Sequence, residues 1–314
     1  MSLQMIPTSV HRYLKLPQFV EETVYGVTQA SAVFIDASVI NSIRTTYANA
    51  TEMYRKLGRR QMYKYIKMGQ DITYSMSFSP VDTQLIRYGT ENGNALGTLA
   101  GTIDKSLTVA NTRYQNTWGA NGPLVETGFL RKGSKVDSIT VTTTSRGMVT
   151  VDMDLICSQI VQSQTGPNFG LTTPTWVPTP TTSTPWSNLV GGCGNKLVLG
   201  GVSYPFKTAS FTVNNNIDAV DVDGCDTIVW LEPGAKEVTF TAEILAQKDT
   251  AIETAMDAGN PLTASKIVLN ATGPKEATFT NLFINNKTED ESADETSVKT
   301  YTISGTADDV TVTA

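Results

Sequence analysis

The chain has 314 residues, of which 40% are hydrophobic and 17% are charged, so it has enough apolar material for one large domain or for two of about 150 residues each. Its formal net charge of −6 is unevenly divided, with +4 on residues 1–160 and −10 on residues 161–314. The three cysteines form no CxxC pair and no apolar run reaches ~18 residues, which argues against a zinc finger, a disulfide framework and a membrane-spanning helix.

Alternating apolar and polar residues predict a series of strands in the first half of the chain. They are expected at residues 19–27, 32–35, 61–68, 71–78, 136–143 and 148–156. Two pairs of these strands are joined by short turns, at Gly69-Gln70 and at residues 144–147. Each of the two pairs is therefore predicted to form a hairpin.

The intervening segments of the first half are predicted to be less regular. Residues 1–18 are expected to form an N-terminal arm, and residues 37–53 a short helix with an exposed loop. Residues 89–123 are rich in Gly, Asn and Thr with little periodicity, which predicts a long loop.

Residues 163–196 differ in composition from the rest of the chain. They are dense in Pro, Thr and Gly, and proline disfavours both helices and central strands. This segment is therefore predicted to link two halves of the chain. Trp176 and Trp186 indicate that the linker packs against a surface.

The second half is again predicted to consist of strands and one short helix. The helix is expected over residues 249–258. The strands are expected at residues 197–199, 209–214, 227–231, 237–245, 266–270, 276–284, 299–304 and 310–313.

Residues 71–89 and residues 237–259 have the same sequence pattern. Each stretch starts with an alternating strand, DITYS in the first and EVTFT in the second, and continues through Asp-Thr into a helical run that ends at glycine. Asp82 and Asp249 are the predicted helix N-caps, and Gly89 and Gly259 the predicted helix ends. The repetition predicts two related β-rich halves, at residues 19–162 and 197–314.

Three of the predicted strands have an apolar face and a polar face. The polar faces carry hydroxyl and carboxyl groups and no Lys or Arg, whereas open sheet faces usually mix both charge signs. Such a face suits a passage for something that must not adhere. Its residues are Asp71, Thr73, Ser75, Thr150, Asp152, Asp154, Glu237, Thr239, Thr241 and Glu243.

The sequence resembles the tail tube proteins of tailed bacterial and archaeal viruses. The resemblance is carried by the strand–Asp-Thr–helix–Gly pattern, by SFTVNNNIDAV at residues 210–220, and by ATFTNLFIN and VKTYTISGTADDVTVTA near the C-terminus. It implies a mainly β fold with short helices, of the β-sandwich or split-barrel kind. It also implies two related tube units in this chain, with residues 1–18 and 163–196 outside them.

The resemblance further implies how such a chain works. Copies form rings around a wide lumen, and the rings stack into a tube that joins other tail proteins. The lumen tends to be acidic, so genomic DNA passes through without specific binding. The polar-face residues named above are then expected to line the lumen, in a virion tail assembled in the host cytoplasm.

The repeated halves bear on the number of chains in a ring. If each half occupies one of six similar positions, three chains complete a ring with pseudo-six-fold symmetry. The alternative is a ring of six chains, in which only one half of each chain lines the lumen.

Residues 55–67 form the most basic stretch of the chain, and the residues from Met62 to Lys67 (MYKYIK) alternate within it. The stretch suits either a nucleic-acid patch or a basic surface that meets the acidic half of a neighbouring copy. The alternation favours a strand. The resemblance implies a position at a ring edge or on the outside of the tube, because a basic stretch is unexpected in the lumen.

Other chemistry is weakly supported by the sequence. His11 is the only histidine and lies on the predicted arm, which argues against a Ser-His-Asp or Cys-His mechanism. The segment from Asp221 to Asp226 is similar to half of a calcium-binding loop, but Gly224 comes too early for an EF-hand, so a turn is expected. We expect no cofactor, metal or membrane partner.

Three classes of function fit the sequence to different degrees. A structural tube subunit is favoured over a β-rich binding or adhesion module, such as a virion surface or carbohydrate-binding protein, and over an enzyme. Electron microscopy of the purified protein separates the classes, because only the first predicts rings and tubes.

Overall fold

A computed structural model describes most of the chain. The described residues are 13–14, 17–22, 24–27, 34–35, 39–55, 62–80, 83–90, 105–115, 125–145, 147–163, 195–220, 228–245, 250–270, 275–289 and 300–313. Within these ranges the protein is mainly β and contains two short helices, which confirms the predicted fold class.

The first half contains nine strands and one helix in the described residues. They are β1 (Tyr13–Leu14), β2 (Gln18–Glu21), β3 (Phe34–Ile35), β4 (Val39–Arg55), β5 (Met62–Ser79), α1 (Gln84–Thr90), β6 (Leu107–Gln115), β7 (Val125–Thr144), β8 (Thr150–Cys157) and β9 (Gln159–Ser163).

The second half likewise contains nine strands and one helix in the part that the structure describes. They are β10 (Lys196–Leu199), β11 (Val202–Tyr204), β12 (Phe206–Asn214), β13 (Ile217–Val220), β14 (Trp230–Pro233), β15 (Glu237–Leu245), α2 (Thr250–Ala258), β16 (Ser265–Asn270), β17 (Lys275–Glu289) and β18 (Thr300–Val312).

The two halves have the same strand order. In the first half the order across the sheet is β3-β2-β6-β7-β8-β5-β4, and in the second it is β11-β10-β16-β17-β18-β15-β12. The connections along the chain also correspond, because α1 follows β5 and α2 follows β15. The repeated sequence pattern thus occupies the same place in each half.

In the residues that the structure describes, a single strand pair joins the halves into one large sheet. The C-terminal part of β7 pairs with β8 on one side and with β12 on the other, and all of these pairs are antiparallel. Of the strands in the described residues, only β13 and β14 lie outside this sheet. They form a separate hairpin whose backbone is fixed to β7 by a hydrogen bond from the Ile217 amide to Asp137 Oδ1, 2.9 Å long.

The apolar core runs continuously beneath both halves. Its largest members include Phe78 in β5, Phe211 in β12 and Phe240 in β15, each no more than 1% exposed. Phe279 of β17 packs edge-on against both Phe211 and Phe240, at centroid distances of 5.7 and 5.4 Å. Each Å² of apolar surface removed from water stabilises the folded state by about 25 cal/mol. This shared core is therefore the main source of the free energy that holds the two halves together.

Helix α1 covers the core where the two halves meet. Leu85, Ile86 and Tyr88 of α1 are buried, and the helix contacts both β7 and β18. Asn215, just after β12, donates hydrogen bonds from Nδ2 to the carbonyl oxygens of Gly89 (3.0 Å) and Val136 (2.9 Å). These bonds satisfy a helix-end carbonyl that would otherwise be buried without a partner.

Several predicted elements of the first half were wrong. Of residues 37–53, predicted as a helix and loop, residues 39–53 belong to strand β4, and the predicted turn at Gly69-Gln70 lies within the continuous strand β5. The hairpin is instead formed by β4 and β5, in which irregularities of register absorb the extra residues. The long loop predicted over residues 89–123 contains β6.

Two ends of elements that the sequence predicted, near Gly305 and at Gly89, are absent, because the strand and the helix continue through these residues. The strands expected at residues 299–304 and 310–313 are one strand, β18, which runs through Gly305. A side chain at Gly305 would place its Cβ 2.1 Å from the Phe283 carbonyl oxygen, so glycine is needed for the close approach of β17. Helix α1 continues through Gly89 to Thr90 and does not stop at that glycine.

The end of α2 follows the expected pattern more closely. Gly259 comes directly after the helix with φ of 63°, and its amide donates to the Met256 carbonyl oxygen at 3.1 Å. The amide of Asn260 donates to the Ala255 carbonyl oxygen at 2.9 Å, which completes a left-handed C-terminal cap.

Some predictions concern residues outside the described ranges. These are the caps Asp82 and Asp249, the turn from Asp221 to Asp226, the arm at residues 1–12 and most of the linker. The second hairpin predicted in the first half is confirmed, since β7 and β8 pair antiparallel with Thr142 opposite Thr150.

Candidate functional site

One face of the large sheet is a continuous polar surface, here called the polar face. It spans six adjacent strands in the order β5, β8, β7, β12, β15 and β18. Strands lie about 4.8 Å apart, so the surface is roughly 24 Å wide.

Three rows of directly opposed residues form the centre of the polar face, and all are exposed or half-buried. The first row is Ser75, Asp154, Ser138, Asn214 and Glu237. The second is Ser77, Asp152, Thr140, Thr212, Thr239 and Thr306. The third is Thr150, Thr142, Ser210, Thr241 and Ser304.

The opposite face of the same strands is apolar and buried. In β5, Ile72, Tyr74, Met76 and Phe78 are at most 3% exposed. The alternating residues of β8 and β15 are buried in the same way, as their burial patterns show. The predicted alternation is therefore present in all three strands, and the polar residues are fixed in place by the burial of their neighbours.

Hydrogen bonds between polar side chains cross the strands of the polar face. The hydroxyl oxygens of Thr140 and Thr212 lie 2.8 Å apart, and Ser138 Oγ donates to Asp154 Oδ2 at 3.1 Å. The first contact crosses the junction of the halves, and the second crosses the β7–β8 pair. Side-chain pairs of this kind each contribute about 0.2–1 kcal/mol to a sheet.

The predicted polar residues do not all lie close together. Asp152 and Asp154 lie directly opposite Ser77 and Ser75, whereas Glu237 lies four strands from β5, or about 19 Å away. Asp71 is exposed at the margin, beyond the last residue of β5 that pairs with β8.

Two cationic side chains lie next to the polar face, although the sequence predicted a face without Lys or Arg. Lys207 lies at a bulge in β12, and its Nζ is 2.7 Å from Glu243 Oε1. This hydrogen bond lowers the pKa of the Glu243 carboxyl. Arg44 of β4, which is exposed, lies directly opposite Ser75. Cations therefore flank the polar face at two sides, while its three central rows contain none.

Sequence reasoning missed half of this surface. The contributions of β7, β12 and β18 were not predicted, although the alternation in SITVTTT (138–144) and TASFTVN (208–214) carries the signal. Only the strand order reveals that these hydroxyls complete the rows between the carboxylates.

The described residues contain no cluster of His, Cys, Asp or Glu that could hold a metal ion. Among the helices that the structure describes, neither α1 nor α2 has the length and hydropathy required to cross a membrane.

Comparison with known proteins identifies the family. A model of the phage tail tube protein family matches residues 18–314. The chain belongs to this family and is a structural component of a phage tail.

Other comparisons add little to this assignment. A chain of the anti-feeding prophage baseplate, solved by cryo-electron microscopy with six-fold symmetry imposed, is similar at 11% identity and a TM-score of 0.30, covering 51% of this chain and 97% of that one. A likeness at that TM-score does not define a fold. No curated protein matches the chain.

Proposed function

We propose that the protein forms rings that stack into a tail tube, and that the polar face lines a lumen through which genomic DNA passes. The continuous row of hydroxyls and carboxylates across both halves carries this proposal. The sheet buries one apolar face, so the opposite face is the one free to line a lumen, and in this chain that face is polar over six strands.

The chemistry of the polar face suits a surface that DNA does not bind. Asp152, Asp154 and Glu237 repel phosphates within about 8 Å at physiological salt. The central rows offer no Lys or Arg, and such cations supply most of the affinity of non-specific DNA binding. The neutral hydroxyls exchange hydrogen bonds with water, so the surface stays wet as DNA moves past.

The cations beside the polar face are consistent with this role for different reasons. Lys207 is paired with Glu243, which reduces its attraction for phosphate. Arg44 lies on β4, at the edge of the sheet, where a neighbouring chain is expected. Both cations lie outside the three central rows of the polar face within one chain.

The repeated topology supports a ring of three chains. Each half supplies one equivalent set of strands to the wall, so three chains present six similar sets and the ring has pseudo-six-fold symmetry. In the alternative ring of six chains, only one half of each chain would face the lumen.

The β4–β5 hairpin extends beyond the sheet and carries the described part of the basic stretch, Arg55 and residues 62–67. β8 pairs with β5 only as far as Ile72, whereas the β4–β5 ladder continues to Arg55 opposite Met62. About ten residues therefore project roughly 30 Å past the sheet. We place this hairpin at the edge of a ring, where it reaches the next ring.

Replacing Asp71 and Glu237 together by Lys tests the lumen assignment. Tubes should still form, because neither side chain lies on the apolar face, and DNA delivery by particles that carry the change should slow, most at low salt. Asp218→Lys is the control, because Asp218 is exposed on the separate β13–β14 hairpin. Loss of assembly with unchanged delivery in any residual tubes would place these residues at an interface instead.

A further inference from the structure

We propose that β4 of one chain pairs antiparallel with the C-terminal part of β17 of a second copy, in the register in which β12 pairs with β7 inside the chain. The inference rests on the ring assembly proposed above, and it names the two edges that close the ring. We call this contact the seam.

The two edges have no strand partner in the described residues. β4 pairs with β5 on one side only, and nothing in the described ranges pairs with its other side. The part of β17 after Leu282 pairs with β18 on one side, while its pairing with β16 ends at Phe279. Unpaired sheet edges favour pairing with another chain.

The internal repeat shows which strands correspond. Matching Tyr74 of β5 to Phe240 of β15 makes β4 equivalent to β12 and β17 equivalent to β7. Register irregularities support this match, because they fall at corresponding positions. They lie between Ile40 and Ser42 and between Phe206 and Thr208 in one pair of strands, and between Val136 and Ser138 and between Ile284 and Asn286 in the other.

The contact between β12 and β7 can therefore be carried over to β4 and β17, residue by residue. Inside the chain, Thr212 lies opposite Thr140 and Val213 opposite Ile139. The carried-over register is Thr45 opposite Glu289, Thr46 opposite Thr288, Tyr47 opposite Lys287, and Ala48 opposite Asn286.

A pair of opposed threonines occurs both at the internal junction of β12 with β7 and in the proposed pairing of β4 with β17. Thr46 occupies the position of Thr212, and Thr288 the position of Thr140. Inside the chain this pair forms the 2.8 Å hydroxyl contact across the junction. The same contact is available at the seam with no change of residue type, on the polar face.

The exposed side chains of β4 also indicate a missing neighbour. Tyr47 is 42% exposed, whereas Val213 at the equivalent position is 0% exposed. Tyr47 lies on the edge of β4 that has no strand partner in the described residues, so a strand added to that edge would pack beside it. A second copy would cover Tyr47 as β7 covers Val213.

Lys287 offers a specific partner for Tyr47. Its Nζ lies 2.6 Å from Glu253 Oε1 and 4.2 Å from the centroid of the Tyr301 ring. In the carried-over register the ring of Tyr47 lies beside this cation and adds a second aromatic face to it.

Helix α2 supports the seam independently of the strands. α1 lies across the internal junction with its residues mostly buried, and it contacts β18 of the other half. α2 has the equivalent position beside β17, but Ala251, Glu253 and Asp257 are exposed. A neighbouring copy docked at the seam would bring its β8 against α2, as β18 lies against α1.

Cysteine cross-linking of the full-length chain tests the seam. Thr46→Cys with Thr288→Cys places two thiols on directly opposed residues of one face, where a disulfide fits an antiparallel pair. The matched internal control is Thr140→Cys with Thr212→Cys. The register control is Thr46→Cys with Glu289→Cys, which puts the thiols on opposite faces.

Rings are first verified by electron microscopy and then oxidised. The seam predicts that most chains of the first variant join into covalent multimers on a non-reducing gel, with the largest containing as many chains as one ring. The internal control should form its bond within single chains, and the register control should remain monomeric, like the unmodified chain.

Two results would overturn the inference in different ways. Intact rings in which the seam variant stays monomeric, while the internal control has formed its disulfide, would reject the seam and leave the tube function standing. Failure of the unmodified chain to form rings at any concentration would reject the proposed function and the seam together.

Discussion

The hydroxyl oxygens of Thr140 and Thr212 lie 2.8 Å apart, across the pair of strands β7 and β12 that joins the two halves of the chain. This contact belongs at once to the polar face and to the junction. The polar face and the junction of the halves are therefore formed by the same strands. In the ring proposed above, a copy of this junction between chains would extend the polar face around the ring.

The first prediction concerns Asn215, which holds α1 over the junction. Asn215→Ala removes two hydrogen bonds and leaves the carbonyl oxygens of Gly89 and Val136 without this partner in a buried place. We expect the free energy of unfolding to fall by about 1–3 kcal/mol, measured by urea denaturation.

Asn214→Ala is the matched control for this prediction. Asn214 is half-buried on the polar face and accepts a local bond from the Asn216 amide, at 3.2 Å. Its loss should cost well under ~1 kcal/mol. Equal effects of the two changes would show that Asn215 does not stabilise the junction specifically.

The second prediction concerns the reactivity of Cys157. The thiol is fully buried in β8, and burial raises its pKa to about 11, although a hydrogen bond with Ser134 opposes the rise. Because the thiolate is the reactive form, we expect Cys157 to resist alkylation in the folded protein at about pH 8.

Mass spectrometry of peptides after a pulse of iodoacetamide measures this protection site by site. Cys157 should become reactive only when denaturant unfolds the chain. Rapid labelling of Cys157 under native conditions would contradict its burial, and would also require its replacement in the cross-linking variants.

The third prediction concerns acid and the Lys207–Glu243 pair. The hydrogen bond from Lys207 lowers the pKa of Glu243 in the folded state, so the pair stabilises the fold above the ordinary Glu pKa of about 4.3. That contribution is lost as the pH falls through the lowered pKa. The pair is exposed to solvent, so its contribution is expected to be about 0.5 kcal/mol or less.

Glu243→Gln should therefore destabilise the protein slightly near neutral pH and have no effect at about pH 2. The measurement is the difference in free energy of unfolding between variant and unmodified chain across this range, at low and at high salt. A difference that persists in strong acid would mean that the side chain acts through packing and not through its charge.

The fourth prediction concerns the Pro- and Thr-rich linker. Proline-rich backbone does not join a central strand, so residues 178–185 are expected to lie outside the wall or at a ring edge. Deleting these eight residues should leave rings and tubes intact in negative-stain electron microscopy. Complete loss of assembly would instead identify the linker as a structural clamp between subunits.

The sequence predicted best those strands whose alternation is complete. β15 was expected at residues 237–245 and is found at Glu237–Leu245, because every second residue is buried against the core. The same alternating pattern near residue 71 predicted part of β5, which has the place in the strand order of the first half that β15 has in the second. Period-two burial is a local signal, and a single sequence is enough to read it.

Strand β4 was missed because it lies at an edge. Its residues 41–48, NSIRTTYA, are mostly polar, and all of them are exposed or half-buried in the single chain, so no buried face imposes an alternation. In the described residues β4 has no strand partner on its outer side, which is why its sequence lacks a strand pattern. This unpaired side is also the reason for proposing β4 as one strand of the seam.

The rows of the polar face depend on register, which the sequence does not specify on its own. Register is set by pairings such as Ser75 with Asp154, between residues far apart in the chain. The bulge in β12 that brings Lys207 to Glu243 is a further example, since a simple alternation would have placed these side chains differently.

A reconstruction of the assembled tube by cryo-electron microscopy tests the central claim most directly. We predict rings of three chains in which Asp154 of the first half and Thr241 of the second both face the lumen, and in which β4 of each chain pairs with β17 of the next. A wall lined by only one half of each chain, with six chains in a ring, or a wall built from the apolar face, would contradict the account.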